Sequence, residues 1–144
     1  MELFTKCGVL TPSQSKTNIR FDFEVPSGVK ALRVEYKYSP KHVEDKEKSV
    51  EMISLAAKKY GEEINSFDDL LPLSNLVTLS FDDCNGYRGA CHRHPNEQSI
   101  YISSEASTPG IINSPITEGM WSVTLNVHFV GSDEVEYSIK IEGE

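Results

Sequence analysis

The chain has 144 residues, 38% of them hydrophobic and 25% charged, and carries 22 acidic against 14 basic side chains for a formal charge of -8. A chain of this size holds one hydrophobic core, and its low apolar fraction suits strands that each keep one wet face. The acidity, with no run of basic residues, argues against nucleic acid as a partner, and no stretch approaches the ~20 apolar residues of a membrane span.

The amino terminus, MELFTKCGVL, lacks a long apolar core behind a basic stretch, so the chain reads as cytoplasmic. Cys7, Cys84 and Cys91 are odd in number and show no framework spacing, which argues against a disulfide-built scaffold. From Ile19 to Val25 the pattern IRFDFEV alternates, setting Ile19, Phe21, Phe23 and Val25 on one face and Arg20, Asp22 and Glu24 on the other. Pro26, Ser27 and Gly28 supply a turn. Leu32, Val34, Tyr36 and Tyr38 then alternate with Arg33, Glu35 and Lys37, which predicts a second strand antiparallel to the first.

After Pro40 the period changes. Between Glu44 and Tyr60, Val50, Ile53, Ala57 and Tyr60 recur every three or four residues, and Gly61 suits a C-terminal cap next to Lys58 and Lys59. This predicts one amphipathic helix covering an edge or end of the sheets. Glu62 to Ser74, with Asp68, Asp69 and Pro72, reads as a loop or short helical turn. Leu76 to Phe81 resumes as a strand, Asp82 to Glu97 reads as a long polar loop, and Ser99 to Ser103 as a short strand. Ala106 to Gly119, with Pro109, Gly110 and Pro115, is an extended connection with two turns.

In the last third, Trp121, Val123, Leu125, Val127 and Phe129 share one face against Ser122, Thr124, Asn126 and His128. Gly131, Ser132 and Asp133 turn the chain, and Val135, Tyr137, Ile139 and Ile141 repeat the alternation, which predicts a closing hairpin from Trp121 to Ile141. With no internal repeat, the expectation is one all-β domain, an antiparallel two-sheet sandwich with one inserted helix over residues 44–60.

Chemistry concentrates in the Asp82 to Glu97 loop. Cys84, Cys91, His92 and His94 are competent zinc ligands, but the cysteines lie seven positions apart and the histidines alternate, unlike the C-x₂₋₄-C and H-x₃₋₅-H pairs of structural zinc sites. Without a G-x-S-x-G nucleophile, an H-E-x-x-H helix or a glycine-rich phosphate loop, no residue is assigned a catalytic role. Arg88 suits bridging of loop carbonyls or pairing with Asp83. Tyr87 and Tyr101 are rings on which a sugar face can stack.

The segments Gly86-Tyr87-Arg88-Gly89, SIYIS, Ser107-Thr108-Pro109-Gly110, Pro115-Ile116 and Gly119-Met120-Trp121 together resemble the N-terminal accessory domain of bacterial PHP-type metal-dependent phosphoesterases. Asp83 to Val130 carry the match. The resemblance implies a jelly-roll-like sandwich, similar also to pre-peptidase C-terminal domains of secreted hydrolases, beside a catalytic module outside these residues. The family's aromatic and glycine after Arg-Gly are replaced by Ala90, Cys91 and His92, so a loop-borne role does not carry over. The expectation is a non-catalytic accessory or binding domain without a cofactor, supporting a hydrolase or binding a carbohydrate or protein partner. Asp83, Tyr87, Arg88, His92, His94 and Tyr101 are its candidate binding residues. The alternative is a small metal-dependent hydrolase or zinc-binding protein built on Cys84, Cys91, His92 and His94.

Overall fold

Strict alternation buries one side of each strand, and the strands solve that burial by stacking two sheets face to face. The computed structural model describes residues 1–63, 66–67 and 70–144. Its strands are β1 (Glu2–Leu10), β2 (Thr17–Val25), β3 (Ala31–Ser39), β4 (Leu76–Asp83), β5 (Gly86–Cys91), β6 (Glu97–Ser103), β7 (Gly119–Phe129) and β8 (Val135–Gly143), with one helix, α1 (Lys46–Tyr60). All pairings are antiparallel, in two four-stranded sheets of order β1-β8-β3-β6 and β2-β7-β4-β5. This is the strand order of a jelly roll. We call the first sheet A and the second sheet B.

Apart from the β4–β5 hairpin, every connection crosses from one sheet to the other. Two expectations are thereby corrected. β2 and β3 are not paired with each other, because β2 pairs with β7 while β3 lies between β8 and β6. Likewise β7 and β8 form no hairpin, since they belong to opposite sheets and Gly131–Asp133 is a corner. Alternation records which face of a strand is buried. It is equally satisfied when the next strand lies alongside or across the core. What makes the corner is Asn75, fully buried, whose side-chain oxygen accepts from the amides of Gly131 (2.8 Å) and Ser132 (3.3 Å) and whose amide nitrogen donates to Pro40 (3.0 Å) and Ser132 Oγ (2.9 Å).

Two strands escaped the sequence pattern. β1 mixes Thr5, Lys6 and Gly8 among its apolar residues and is mostly exposed. β5 lies inside the expected polar loop, where Gly86, Gly89 and Ala90 give no apolar period. The loop from Asp82 to Glu97 is therefore corrected to a hairpin followed by a short link into β6.

Between the sheets, Trp121, Val34, Leu32, Val77, Phe81, Val123, Leu125, Ile139 and Ile141 are at most 1% exposed. Each such aliphatic or aromatic side chain contributes about 1.5–3 kcal/mol relative to exposure. Tyr36 and Tyr38 of sheet A donate their hydroxyls across the core to the carbonyls of Val77 (2.7 Å) and Asn75 (3.1 Å) at the start of β4. Burial pushes the Tyr36 phenol pKa well up, so it stays a donor.

Helix α1 starts two residues after the expected Glu44. Asp45 caps it by accepting from the Lys48 amide at 3.0 Å, and Gly61 ends it in the left-handed region at φ 69°. Ser49, Ile53 and Ala57 are its buried face, and Lys48 pairs with Asp133 of the β7–β8 corner at 2.6 Å. Of the loop expected over Glu62 to Ser74, Asp68 and Asp69 lie outside the described residues.

Candidate functional site: two outer faces

The β4–β5 hairpin carries most of the side chains singled out from sequence. A register shift between Phe81 and Asp82 turns Arg88 inward, to 1% exposure. Its guanidinium donates from Nε to the Ile112 carbonyl (2.9 Å), from Nη1 to Asp83 Oδ2 (3.1 Å) and to Pro115 (3.2 Å), and from Nη2 to Ser114. It also lies over the Trp121 ring, 5.3 Å from the centroid. Backbone bonds complete the fastening, Ala90 N to Gly110 O at 3.1 Å and Ile112 N to Arg88 O at 2.8 Å. A Cβ on Gly89 would fall 2.4 Å from the Gly110 oxygen, at a φ of +136°, so only glycine fits. Arg88 and Asp83 are thus the clamp that holds the long connection before β7, and their polar atoms face each other and the connection.

The four zinc candidates are not brought together. Cys84 stands at the β4–β5 turn and donates to the Glu118 carbonyl at 3.2 Å. Cys91, at the other end of β5, points into the core at 1% exposure, and burial raises its thiol pKa. His92 faces the opposite side, and the backbone oxygen of His94 accepts from Lys41 Nζ. Among the described residues no group of three or more His, Cys, Asp or Glu gathers at metal distance.

On the outer face of sheet B a different cluster forms. The buried Thr78 hydroxyl lies 2.8 Å from His92 Nδ1 and 2.9 Å from His128 Nε2, and the two rings meet edge to face at 5.5 Å. A hydroxyl has one proton and two lone pairs, so it donates to at most one of the imidazoles and at least one ring donates its N–H to Thr78. Burial, and then the neighbouring His92, lower the His128 pKa. Beside them Ser80 Oγ donates to Asn126 Oδ1 at 3.4 Å. On this face most polar groups bond to one another, while the buried Ser122 Oγ and Asn126 Nδ2 have no partner among the described residues.

The outer face of sheet A is open instead. Strand register aligns Cys7, Ser138, Lys37 and Glu97 in one row across all four strands, and Thr5, Lys140, Glu35 and Ser99 in the next. Two contiguous depressions of about 590 and 630 Å³ run over these rows and share Lys37, Glu97 and Ser138. Most charges there are spoken for: Ser99 Oγ donates to Glu35 at 2.6 Å, Lys140 pairs with Glu142 at 2.8 Å, and Arg33 with Glu144 at 3.0 Å. Among the described residues Lys37 makes no ion pair or hydrogen bond through its ammonium. Tyr101 closes the row of Arg33, which stacks 5.4 Å from its ring centroid. Tyr87 is 64% exposed but belongs to sheet B, so the two candidate sugar-stacking rings lie on different sheets. Sequence reasoning placed Arg33, Glu35 and Lys37 on a wet face without marking them. No signal in the sequence marks them, because only the sheet order brings the rows together.

The fold and this face define a jelly-roll sandwich with an open polar groove on one sheet. No family model matches the chain, and no curated protein matches its sequence. Among solved structures it is similar to a protein from Sulfurospirillum deleyianum (TM-score 0.36, 10% identity, 96% of this chain and 98% of that one). It is likewise similar to the P-domain of Penaeus vannamei nodavirus (0.32, 10%, 96% of each chain) and to the CspB protease of Clostridium perfringens (0.29, 10%, 96% of this chain but 24% of that one). Likenesses at this level say nothing about what the chain does.

Proposed function

We propose that the domain is a binding module that takes an extended polar ligand, an oligosaccharide, along the groove on sheet A. The observation that carries this reading is the pair of contiguous depressions over the Cys7 to Glu97 and Thr5 to Ser99 rows, with the Lys37 ammonium, which has no partner among the described residues, at their junction. Ser138, Ser99, Lys37 and Glu97 offer donors and acceptors of the kind sugar hydroxyls need. An accessory role beside a hydrolase rests on the resemblance of Asp83 to Val130 alone. Three unpaired thiols support a reducing compartment such as the cytoplasm. No helix among the described residues is long and apolar enough to cross a membrane.

The test is a polysaccharide and oligosaccharide binding screen on the wild type, Lys37→Ala and Tyr87→Ala. Binding lost in Lys37→Ala and kept in Tyr87→Ala is the expected result. Binding lost in Tyr87→Ala but kept in Lys37→Ala would move the site to sheet B, and no binding to any sugar would sink the carbohydrate reading.

A further inference from the structure

A β-sandwich has four edge strands, each a row of unpaired backbone donors and acceptors that native proteins shorten, bulge or cover. Three of the four edges here are managed. β1 has a register shift between Glu2 and Phe4. β5 is six residues long and its outer side is taken by Gly110 and Ile112. The outer side of β6 is bonded to Ser107 and Thr108, Tyr101 N donating to Thr108 Oγ1 at 2.8 Å and Ser103 N to Ser107 Oγ at 2.9 Å.

β2 is different. It pairs with β7 through all nine residues without a register shift, it contains neither proline nor lysine, and among the described residues no other segment bonds to the backbone of Thr17–Val25. Lys6 of β1 stands over the Phe21 ring, 5.7 Å from its centroid, so it guards the core side and not the hydrogen-bonding edge. Ile19 and Phe21 are only partly buried there.

About Phe21, β2 is charge-complementary to its own reverse: Arg20 and Asp22, which pair with each other at 3.1 Å within one strand, exchange places. When TNIRFDFEV meets its own copy antiparallel about Phe21, Arg20 faces Asp22 of the second copy and Asp22 faces its Arg20. Asn18 faces Glu24 on the same outer side, and Ile19 faces Phe23 on the inner side. Sliding the register by two sets Arg20 against Arg20, or Asp22 against Asp22. An odd slide sets apolar against charged positions. Of the even registers within two residues of it, only the one about Phe21 avoids a like-charge contact, and like every antiparallel pairing of identical strands it is two-fold symmetric. We propose that two copies of this chain pair through β2 in that register, joining their B sheets into one eight-stranded sheet.

Sedimentation equilibrium across a wide concentration range tests this. The wild type dimerises; Arg20→Asp and Asp22→Arg each weaken the dimer by about tenfold or more, because each creates two like-charge contacts by symmetry. The double swap Arg20→Asp with Asp22→Arg restores the wild-type constant, since the pairs re-form with reversed sign. Circular dichroism confirms that each variant is folded, and backbone amides of β2 gain hydrogen-exchange protection with concentration. A monomeric wild type, a dimer indifferent to the single swaps, or a double swap that does not recover would each overturn the proposal.

Discussion

The two sheets of this sandwich use their polar side chains in opposite ways. Around sheet B most are spent on one another, Arg88 on Asp83 and three carbonyls, Thr78 on two imidazoles and Ser80 on Asn126, although Ser122 Oγ and Asn126 Nδ2 stay buried without a partner among the described residues. Over sheet A they stand in cross-strand rows beneath open space, and Lys37 has no partner among the described residues. A residue rich in donors is therefore not by itself a ligand site. Buried groups must be satisfied internally because leaving one unpaired costs about 1–3 kcal/mol, whereas exposed groups are satisfied by water until a ligand replaces it.

The largest expected effect breaks the satisfied side. Arg88→Ala removes the clamp on the Ile112–Pro115 connection and leaves Asp83, with a side chain only 10% exposed, without its cation. Truncating one partner of a buried pair costs about 3–5 kcal/mol, so urea unfolding should show a loss of that order. Arg88→Lys should fall between, because an ammonium cannot reach three carbonyls and a carboxylate from one plane. A loss below about 1 kcal/mol for Arg88→Ala, the level of an exposed pair, would mean the clamp is not what holds the connection.

This contrast also explains what was legible in the sequence. The four strands with clean alternation stand where their periods put them, and the helix spans the expected stretch with Ile53 and Ala57 buried but Ser49 in place of the exposed Tyr60. The structural reading of Arg88 with Asp83 holds, because a buried guanidinium next to an acid and a Pro/Gly-rich segment has few other ways to be satisfied. β5 was hidden because Gly86, Gly89 and Ala90 carry no period; the bare Cα of Gly89 serves the close approach of the Gly110 backbone. The Thr78–His92–His128 cluster was hidden because it joins positions on β4, β7 and the end of β5 that only sheet order brings together. The sheet A rows were hidden for the same reason: Cys7, Lys37, Glu97 and Ser138 are 30 to 130 positions apart in the chain, roughly, and the order β1-β8-β3-β6 aligns them.

A smaller effect concerns the histidines. With its pKa lowered in the folded state, His128 binds its proton less readily there than in the unfolded chain, whose value is near the ordinary 6.5. Its contribution is complete above that pH and is lost as pH falls through the folded value, where the unfolded chain is protonated first. Unfolding measured from pH 7.5 to about 5 should thus show stability falling with acid, and His128→Gln should flatten the slope while keeping a donor for Thr78. NMR titration of His92→Ala should move the His128 pKa up, though only part of the way, since burial is the larger cause. A His128 value that does not move would remove the ring–ring repulsion from the account.

The smallest stability effect belongs to the open face, and it sharpens the comparison most. Lys37 contributes no ion pair or hydrogen bond that folding depends on, and its stem lies on a sheet whose core side is already filled by Tyr36 and Tyr38. Lys37→Ala should change the unfolding free energy by no more than about 0.5 kcal/mol, as for surface positions away from caps and networks. Arg88 and Lys37 then form a pair of opposite controls: one cation removed at a large cost in stability, the other at nearly none. If Lys37→Ala proves as destabilising as a buried truncation, the ammonium is bonded in solution and the groove is closed. If stability is unchanged while the groove's ligand is lost, the unpaired cation is retained for binding and not for the fold.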